Sequence, residues 1–426
     1  MFFKSNQYAY ALRGVHDQEH NALRQCFAMD RAESFTAFQD AIAMLQFPMG
    51  NITYAASADA THPHGQIGYL WGGAVPDRID DSADYSQYVD GSLPETDWQG
   101  IHPASDLPAV VNPASHWLAN NNVAANQVTD NSGIDLTDYP AYMVSGHQDD
   151  TTWRQLRLTE LIHQQMATAT PVDQSTMEAW ASDTYDTWAG AAIPLILAAD
   201  AELAQACSEV QTQDSALNCD LMPVALSLLE QHLDQGLDAS TTSPTMLFWR
   251  GVQESFAFAT GHALLSERPN QFPAVLPATE RAAAAVALVT VADYFLSHGL
   301  TENPPIWGDY QRIMQGSQSF AVGGGPEVLR SANSSWDSAT QKMVYGGGQV
   351  FVMVVALGNS AQGEPTHSRF YKALGVSEYE SSSHFLDLTE DFSHDTFRDF
   401  YDTPVGLYDH LESETLLTLP LDLSAF

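Results

Sequence analysis

The sequence predicts an α+β fold in which a helical block is inserted between parts of a sheet. Strand-like alternation dominates the first part of the chain, a nearly continuous helical pattern follows from Thr152 to Leu300, and strands return in the tail. Separate domains would need linkers, and no stretch has the composition of one. We therefore expect residues 1–426 to form one intertwined body, with residues 152–300 as a mainly helical block within it.

The N-terminal elements follow from local patterns. Alternating apolar and polar residues at Tyr8–Arg13 predict a strand, and Phe35, Phe38, Ile42 and Leu45 lie at helical spacing. From Asn51 to Asn122 the chain is rich in Gly, Pro and Asp, so short strands between loops are expected. These strands are predicted at Ile52–Ala56, Ile67–Trp71 and Trp117–Ala119.

The central and C-terminal elements also have clear signatures. Six helices are predicted, at residues 152–168, 175–190, 195–209, 220–232, 245–265 and 277–299. In the tail, Gln349–Leu357 has strong strand character. The two triple-glycine runs, Gly323–Gly325 and Gly346–Gly348, are expected to form turns.

Charge excludes several classes of protein. The chain has 16 Lys and Arg residues against 53 Asp and Glu residues, a net charge of −37. Such a surface repels phosphate backbones, so we expect no nucleic-acid partner. No Lys follows a Gly as a P-loop requires. Two interpretations of the acidity remain: adaptation to high salt, or an acidic surface with a specific partner.

The sequence contains no membrane span of sufficient length. The longest apolar runs, Ala282–Ala292 and Trp188–Ala199, reach about half of the ~20 residues needed, and we expect no contact with a membrane. Residues 1–7 become polar before any apolar stretch forms, so no signal peptide is predicted there. Among the three cysteines, Cys207 and Cys219 either pair in an oxidising compartment or stay separate thiols.

No self-contained metal or nucleophile motif is present. The pair in Thr61-His-Pro-His-Gly lacks a third ligand at zinc spacing, and neither G-x-S-x-G nor H-E-x-x-H occurs. Asp138, Asp149 and Asp150 are scattered acids without the alternation of a calcium loop, and we interpret them as solvated loop residues. We therefore expect no metal site from the residues alone.

A series of short motifs does resemble a known family. In order along the chain they are Tyr54-Ala-Ala, Gly65-Gln-Ile-Gly-Tyr, Pro76-Asp-Arg, Asp97-Trp-Gln-Gly, Asn112-Pro-Ala-Ser, Leu118-Ala-Asn-Asn-Asn, Trp153-Arg-Gln-Leu-Arg, Trp307-Gly-Asp-Tyr and Val322-Gly-Gly-Gly-Pro. Their order resembles the β-chain of the penicillin amidase family, which includes penicillin acylases, aculeacin-type acylases and acyl-homoserine-lactone acylases. The resemblance extends from about residue 8 to residue 405 and implies an N-terminal-nucleophile hydrolase fold with αββα layers.

The resemblance implies roles for individual residues. In the family the N-terminal Ser of the β-chain attacks an amide carbonyl, and a side-chain amide stabilises the resulting oxyanion. The match places that amide on Asn122, and a steadying Arg on the next helix corresponds to Arg157, with Arg154 as its rival. The alternatives are an ordinary turn residue for Asn122 and a surface ion-pair partner for Arg157.

Met49 and Gly50 correspond to the border of the acyl group. They precede the Asn51–Ala55 strand, and a glycine there leaves volume for a deep or wide acyl pocket. The alternative is that Gly50 only permits a bulge at the start of the strand. A long acyl chain, as in acyl-homoserine lactones, is favoured over a phenylacetyl group by the resemblance alone.

The chain departs from the family where the nucleophile is concerned. The nucleophilic Ser should lie well over a hundred residues before Tyr8, and Ser5 is no substitute. We expect the chain to be the C-terminal part of a β-chain whose partners are the α-chain and the N-terminal part of the β-chain. A truncated gene model, one half of a split gene and a degenerate copy all remain open.

The function expected from the resemblance is hydrolysis of N-acyl substrates by the complete protein, with this chain inactive alone. The alternative is a non-catalytic acylase scaffold that acts as a binding or assembly module. No cofactor is expected, although the resemblance allows calcium with ligands that the sequence does not identify. It also implies a periplasmic or secreted location.

Overall fold

The computed structural model describes eleven stretches of the chain and groups them into two units. The described residues are 2–4, 8–15, 21–48, 50–59, 61–80, 84–85, 87–144, 151–265, 268–358, 366–401 and 404–410. The first unit comprises Met1–Asp150, Leu357–Pro365 and Asp402–Phe426, and the second comprises Thr151–Ala356 and Thr366–Tyr401. That the two form one intertwined body stays a prediction.

The first unit contains short strands and short helices. Its strands are β1 (Phe2–Lys4), β2 (Ala9–Ala11), β3 (Asn51–Ala56), β4 (Gln66–Trp71), β5 (Pro76–Arg78), β6 (Trp98–Ile101) and β7 (Ala109–Val111). Its helices are α1 (Ala22–Asp30), α2 (Phe35–Ile42), α3 (Ala141–Val144) and, near the C-terminus, a five-residue helix at Pro404–Tyr408. These described strands pair antiparallel, in the groups β1-β2, β3-β4-β7 and β5-β6, and an isolated parallel bridge joins Phe47 and Gly73.

A small core lies against the β3-β4-β7 sheet. Tyr69 of β4 is fully buried and donates its hydroxyl proton to Asn51 Oδ1 at 2.5 Å, and burial raises the pKa of this phenol. Val123, Ala125 and Val128 pack into the same cluster. This packing anchors the loop that contains the predicted oxyanion residue, because three of its apolar side chains are removed from water.

The second unit combines a helical part with two sheets. Its long helices are α4 (Trp153–Ala167), α5 (Gln174–Ala181), α6 (Thr187–Leu197), α7 (Asp200–Gln211), α8 (Met222–Asp234), α9 (Met246–Thr260) and α10 (Arg281–Ser297). Side-chain caps begin three of them: Thr152 accepts from Gln155 N, Asp173 from Thr176 N, and Asp186 from Ala189 N. Helix α10 contacts α7, α8 and α9, so it lies at the centre of the largest apolar cluster.

The sheets of this unit come from the tail. After the short helix α11 (Trp307–Tyr310), strands β8 (Gln311–Gln315), β9 (Gln318–Ala321), β10 (Ala332–Asp337) and β11 (Lys342–Gly348) form a sheet in the order β10-β11-β8-β9. Only the β11–β8 pair among them is parallel. A second sheet contains β12 (Phe351–Ala356), β13 (His367–Lys372) and β14 (Arg398–Phe400), with α12 (Thr389–Ser393) between the last two in sequence.

Several sequence-based element predictions are wrong. The helix predicted at 195–209 is divided by a turn at residues 198–199 into the end of α6 and most of α7. The helix predicted at 175–190 is two helices, since residues 182–186 break it and Asp186 caps the second one. Residues 117–119 are not a strand, although Ala119 N donates to Val128 O at 2.8 Å. Neither triple-glycine run forms the predicted turn: Gly323 and Gly324 are irregular and Gly325 forms a bridge with Ser331, whereas Gly346–Gly348 closes strand β11.

The cysteine alternatives are settled in favour of pairing. Cys207 of α7 and Cys219 form a disulfide with their Cα atoms 5.8 Å apart, and Cys207 is fully buried. The bond closes a loop between α7 and the start of α8.

Within the described ranges, no single helix has both the length and the apolar character needed to cross a membrane. Helices α6 and α7 satisfy length and composition only as a pair, and they meet at an angle of 75°.

Candidate functional site

The candidate oxyanion segment begins at the end of strand β7. Asn112 has a left-handed backbone with φ +47°, a conformation that Asn tolerates better than most residues. Its backbone N–H donates to Ile67 O at 2.9 Å, and its side-chain Oδ1 accepts from Ile67 N at 3.0 Å. Asn112 therefore holds the chain in place where it leaves the sheet. The Asn112-Pro-Ala-Ser motif alone does not predict this role.

The turn at residues 120–123 is organised by the side chain of Asn120. Asn120 Oδ1 accepts from Asn122 N at 2.9 Å, and Asn120 Nδ2 donates to Val123 O at 3.4 Å. A side chain bonded to the backbone two residues ahead is an Asx-turn. The buried Val123 and Ala124 follow at once, so the turn is fixed at its end by the core.

Asn122 lies at the exposed tip of this turn. Its backbone is left-handed with φ +62°, and the residue is exposed, whereas Asn121 is half-buried and Val123 is buried. An exposed amide on this fixed backbone can approach an oxygen of a molecule outside the chain. Asn120 cannot do the same without releasing the two hydrogen bonds that build the turn.

Arg157 occupies the first half of α4 and is held by two carboxylates. Its Nε and Nη2 donate to Asp183 Oδ1 and Oδ2 at 3.2 and 2.8 Å, and its Nη1 donates to Glu160 Oε2 at 2.9 Å. The guanidinium carbon also lies 4.4 Å from the ring centroid of Tyr185. Burial alone would lower the pKa of Arg157, but Asp183 and Glu160 raise it. The guanidinium is therefore charged and fixed in orientation.

Asp183 joins Arg157 to a second arginine. Besides its carboxylate contacts, Asp183 accepts through its carbonyl oxygen from Arg330 N at 2.8 Å. Arg330 is fully buried, and its Nε lies 2.5 Å from Asp395 Oδ1 while Nη2 donates to Phe392 O at 2.8 Å. Burial raises the pKa of Asp395, and Arg330 opposes that rise.

Sequence reasoning missed both Asp183 and Arg330. Asp183 lies within residues 175–190, which the apolar pattern predicts to be one helix, and no motif marks its side chain. Arg330 lies four residues after the Val322-Gly-Gly-Gly-Pro motif, and the triple glycine of that motif is the sequence signal that points to it. A Cβ on Gly324 would lie 1.7 Å from Arg330 O, so only glycine permits this close approach.

The rival residue Arg154 has a looser contact. Its Nε lies 4.0 Å from Glu327 Oε1, and Glu327 Oε2 accepts from Trp153 N at 3.1 Å. The bidentate contact between Arg157 and Asp183 is closer than this contact of Arg154 with Glu327.

Gly50 immediately precedes β3, and its carbonyl accepts from Gly72 N at 2.9 Å. A Cβ placed on Gly50 would have no atom within 4 Å, which fits the volume expected at this position. The β3–β4 register runs from Asn51↔Trp71 without a bulge. Met49 lies outside the described residues.

The predicted site residues are divided between the two units. Asn122 and Gly50 belong to the first unit, whereas Arg157 and Arg154 belong to the second. Within the described part of the chain, no group of three His, Cys, Asp or Glu side chains is arranged to hold a metal ion. Asp138 ends a single helical turn at Leu136–Asp138, and Asp149 and Asp150 fall outside the described residues.

Comparison with known proteins gives a consistent result. The sequence model of the penicillin amidase family matches residues 3–405. Two acyl-homoserine lactone acylases named PvdQ are similar: that of Pseudomonas fluorescens (strain Pf0-1) is 25% identical over 423 residues, and that of Pseudomonas syringae pv. syringae (strain B728a) is 24% identical over 415. Both alignments cover 91% of this chain and 49% of the relative, so the chain spans about half the length of these curated relatives.

A solved structure supports the fold. The thermostable penicillin G acylase from Alcaligenes faecalis, in its orthorhombic form, matches with a TM-score of 0.53 at 15% identity. The match covers 98% of this chain and 76% of that one. The predicted α+β, N-terminal-nucleophile hydrolase fold is thereby confirmed.

Proposed function

Because the chain belongs to the penicillin amidase family, we propose that it is the C-terminal part of the catalytic chain of an N-acyl amidase. In this proposal the nucleophilic Ser and the α-chain come from segments outside these 426 residues. The coverage of about half of each curated relative supports it. The chain would contribute an oxyanion donor, a positioning arginine and part of the acyl pocket.

The observation that carries the proposal is the turn that presents Asn122. When a Ser hydroxyl adds to an amide carbonyl, negative charge develops on the carbonyl oxygen, and a fixed N–H donor aimed at that oxygen lowers the barrier. In this proposal Asn122 Nδ2 is that donor, and the support is that Asn120 and the buried Val123 fix the backbone that carries it. Collapse of the intermediate would then release the amine and leave an acyl-enzyme for hydrolysis by water.

In this proposal Arg157 is a positioning residue. Its guanidinium donates three hydrogen bonds to Asp183 and Glu160 and faces Tyr185, so it fixes the start of α4 relative to the segment before α6. We assign it no contact with the substrate.

The substrate class is proposed from the pocket and the relatives. Gly50 leaves open space where a side chain would begin, and with Met49 we assign it to the wall of the acyl pocket. The names of the two relatives favour N-acyl-homoserine lactones among N-acyl substrates. A periplasmic or secreted location is supported by the Cys207–Cys219 disulfide, because such bonds persist mainly in oxidising compartments.

The proposal is tested in a complete enzyme in which this chain is combined with the nucleophile-bearing segment. Asn122→Ala should lower kcat by roughly 10²–10³-fold and leave KM nearly unchanged, because the amide meets negative charge mainly in the transition state. Steady-state hydrolysis of an N-acyl-homoserine lactone measures both constants.

The neighbouring asparagines provide the controls. Asn121→Ala should keep kcat within a few-fold of the wild type, and Asn120→Asp retains the oxygen that accepts from Asn122 N. Loss of activity in Asn121→Ala with normal activity in Asn122→Ala would mean that Asn121, and not Asn122, is the oxyanion donor. Normal kcat in both alanine variants would remove the oxyanion assignment and favour the non-catalytic scaffold.

A further inference from the structure

The first unit contains a pocket that the proposed amidase site does not use. It has a volume of about 650 Å³ and lies between the end of β2 and the β5-β6 pair. Its lining combines apolar side chains with two arginines. The lining residues used below are Leu12, Arg13, Arg78, Tyr85, Leu93, Asp97 and Trp98.

Two cations in one pocket are unusual for this molecule, which has 16 Lys and Arg residues against 53 Asp and Glu residues. Arg13 lies 4.2 Å from the ring centroid of Trp98, and its Nη1 lies 2.5 Å from Asp97 Oδ1. Arg13 is therefore largely neutralised by a carboxylate within the pocket.

Arg78 is different, because its guanidinium is held by aromatic rings. Its carbon lies 3.8 Å from the ring centroid of Tyr85 and 5.7 Å from that of Tyr142. Among the residues that the structure describes, no carboxylate forms an ion pair with Arg78. Arg78 is half-buried and lines the pocket, so within the described part of the chain its guanidinium is available to a ligand of opposite charge.

The backbone presents Arg78 in a fixed way. The β5-β6 register shifts between Asp77 and Arg78, which pairs with Trp98. Arg78 N donates to Tyr142 Oη at 3.3 Å, and Tyr142 Oη lies 2.6 Å from His102 Nε2. Bulges reorient the side chain that follows them, so the strand irregularity and the tyrosine together pre-organise the guanidinium.

The apolar part of the pocket indicates the rest of the ligand. Leu12 is 71% exposed and Leu93 is 49% exposed, so both side chains offer apolar surface that a ligand would cover. A guanidinium binds planar carboxylates through two parallel hydrogen bonds. The negative field of the whole chain also opposes a divalent anion more strongly than a monovalent one.

We propose that this pocket binds an organic monocarboxylate with an apolar body, through the Arg78 guanidinium and the apolar rim at Leu12 and Leu93. Octanoate is a suitable probe, since it has one carboxylate and a flexible apolar chain. The proposal does not depend on the amidase function, because it concerns equilibrium binding by this chain alone.

Isothermal titration calorimetry of the chain with sodium octanoate tests the proposal. Arg78→Gln should weaken binding by roughly 10–100-fold, the effect of losing charge-assisted hydrogen bonds. Arg24→Gln is the matched control, because it makes the same charge change on the exposed face of α1 in the same unit, and it should bind as the wild type does. Octanol and inorganic phosphate should each bind much more weakly than octanoate.

A second variant keeps the test decisive if Arg78→Gln does not fold. Asp97→Asn keeps an oxygen for the Trp98 N–H but removes the charge that neutralises Arg13, so octanoate should bind a few-fold more tightly. No octanoate binding by the wild type, equal binding of octanol, tighter binding of phosphate, or unchanged affinity in both variants would each overturn the proposal.

Discussion

The role of a single residue in this chain depends on the groups that its side chain and backbone contact. Asn120, Asn121 and Asn122 are residues of the same type. In the structure the side chain of Asn120 builds the turn, whereas Asn122 lies at its tip with a left-handed backbone. Arg157 was singled out by resemblance, but its bidentate partner Asp183 lies 26 residues away and carries no motif. Sequence reasoning can place a residue in a segment, whereas burial and long-range partners decide what its side chain does.

His232 offers a prediction at the same scale. It is fully buried in α8, its Nδ1 lies 2.9 Å from Thr245 Oγ1, and burial lowers its pKa to about 4, against a smaller opposing effect of Asp238. The unfolded chain therefore takes up the proton first. The stability that neutral His232 provides is complete above about pH 6.5 and is lost as pH falls towards 4, up to about 3 kcal/mol.

Urea unfolding of the wild type and His232→Asn between pH 7 and pH 4 measures this effect. The variant should lose less stability across the interval, because Asn retains a polar group towards Thr245 but does not titrate. His262→Asn, at an exposed position, is the control and should follow the wild type. Parallel stability curves for all three proteins would refute the role of His232.

At the scale of elements, the sequence predicted the helices well where a cap or an apolar face marked them. Helix α4 was predicted at 152–168 and lies at Trp153–Ala167. The failures occurred where tertiary contacts override local pattern: the break at residues 182–186 exists because Asp183 and Asp186 bond to other elements. Local pattern also does not predict the roles of the two triple-glycine runs. Gly324 approaches Arg330 closely, and Gly346–Gly348 ends strand β11.

These two glycine runs give a matched pair of variants. Gly324→Ala would place a methyl group 1.7 Å from Arg330 O at a φ of +90°, and we expect a loss of about 3 kcal/mol or more in the free energy of unfolding. Gly346→Ala meets nothing within 4 Å and should change stability by less than about 1 kcal/mol. Chemical denaturation measures both, and equal effects would refute the close-approach argument.

At the scale of the whole molecule, the net charge of −37 is the dominant property. Repulsion among the acids opposes folding and is screened within about 3 Å at 1 M salt. If the chain is adapted to salt, its Tm should rise steadily with KCl from low to molar concentration. Sucrose, which does not screen charge, is the control, and a Tm that is flat or falling in KCl would reject the adaptation.

The central claim is that this chain is one part of an N-acyl amidase whose nucleophile lies elsewhere. The direct measurement is acid release from an N-acyl-homoserine lactone, first by the purified chain and then by the chain combined with the nucleophile-bearing segment. We predict no turnover by the chain alone and enzyme-like turnover by the combination, with one acid and one amine formed per amide cleaved. Turnover by the isolated chain, or an inactive but correctly processed and folded combination, would contradict the account.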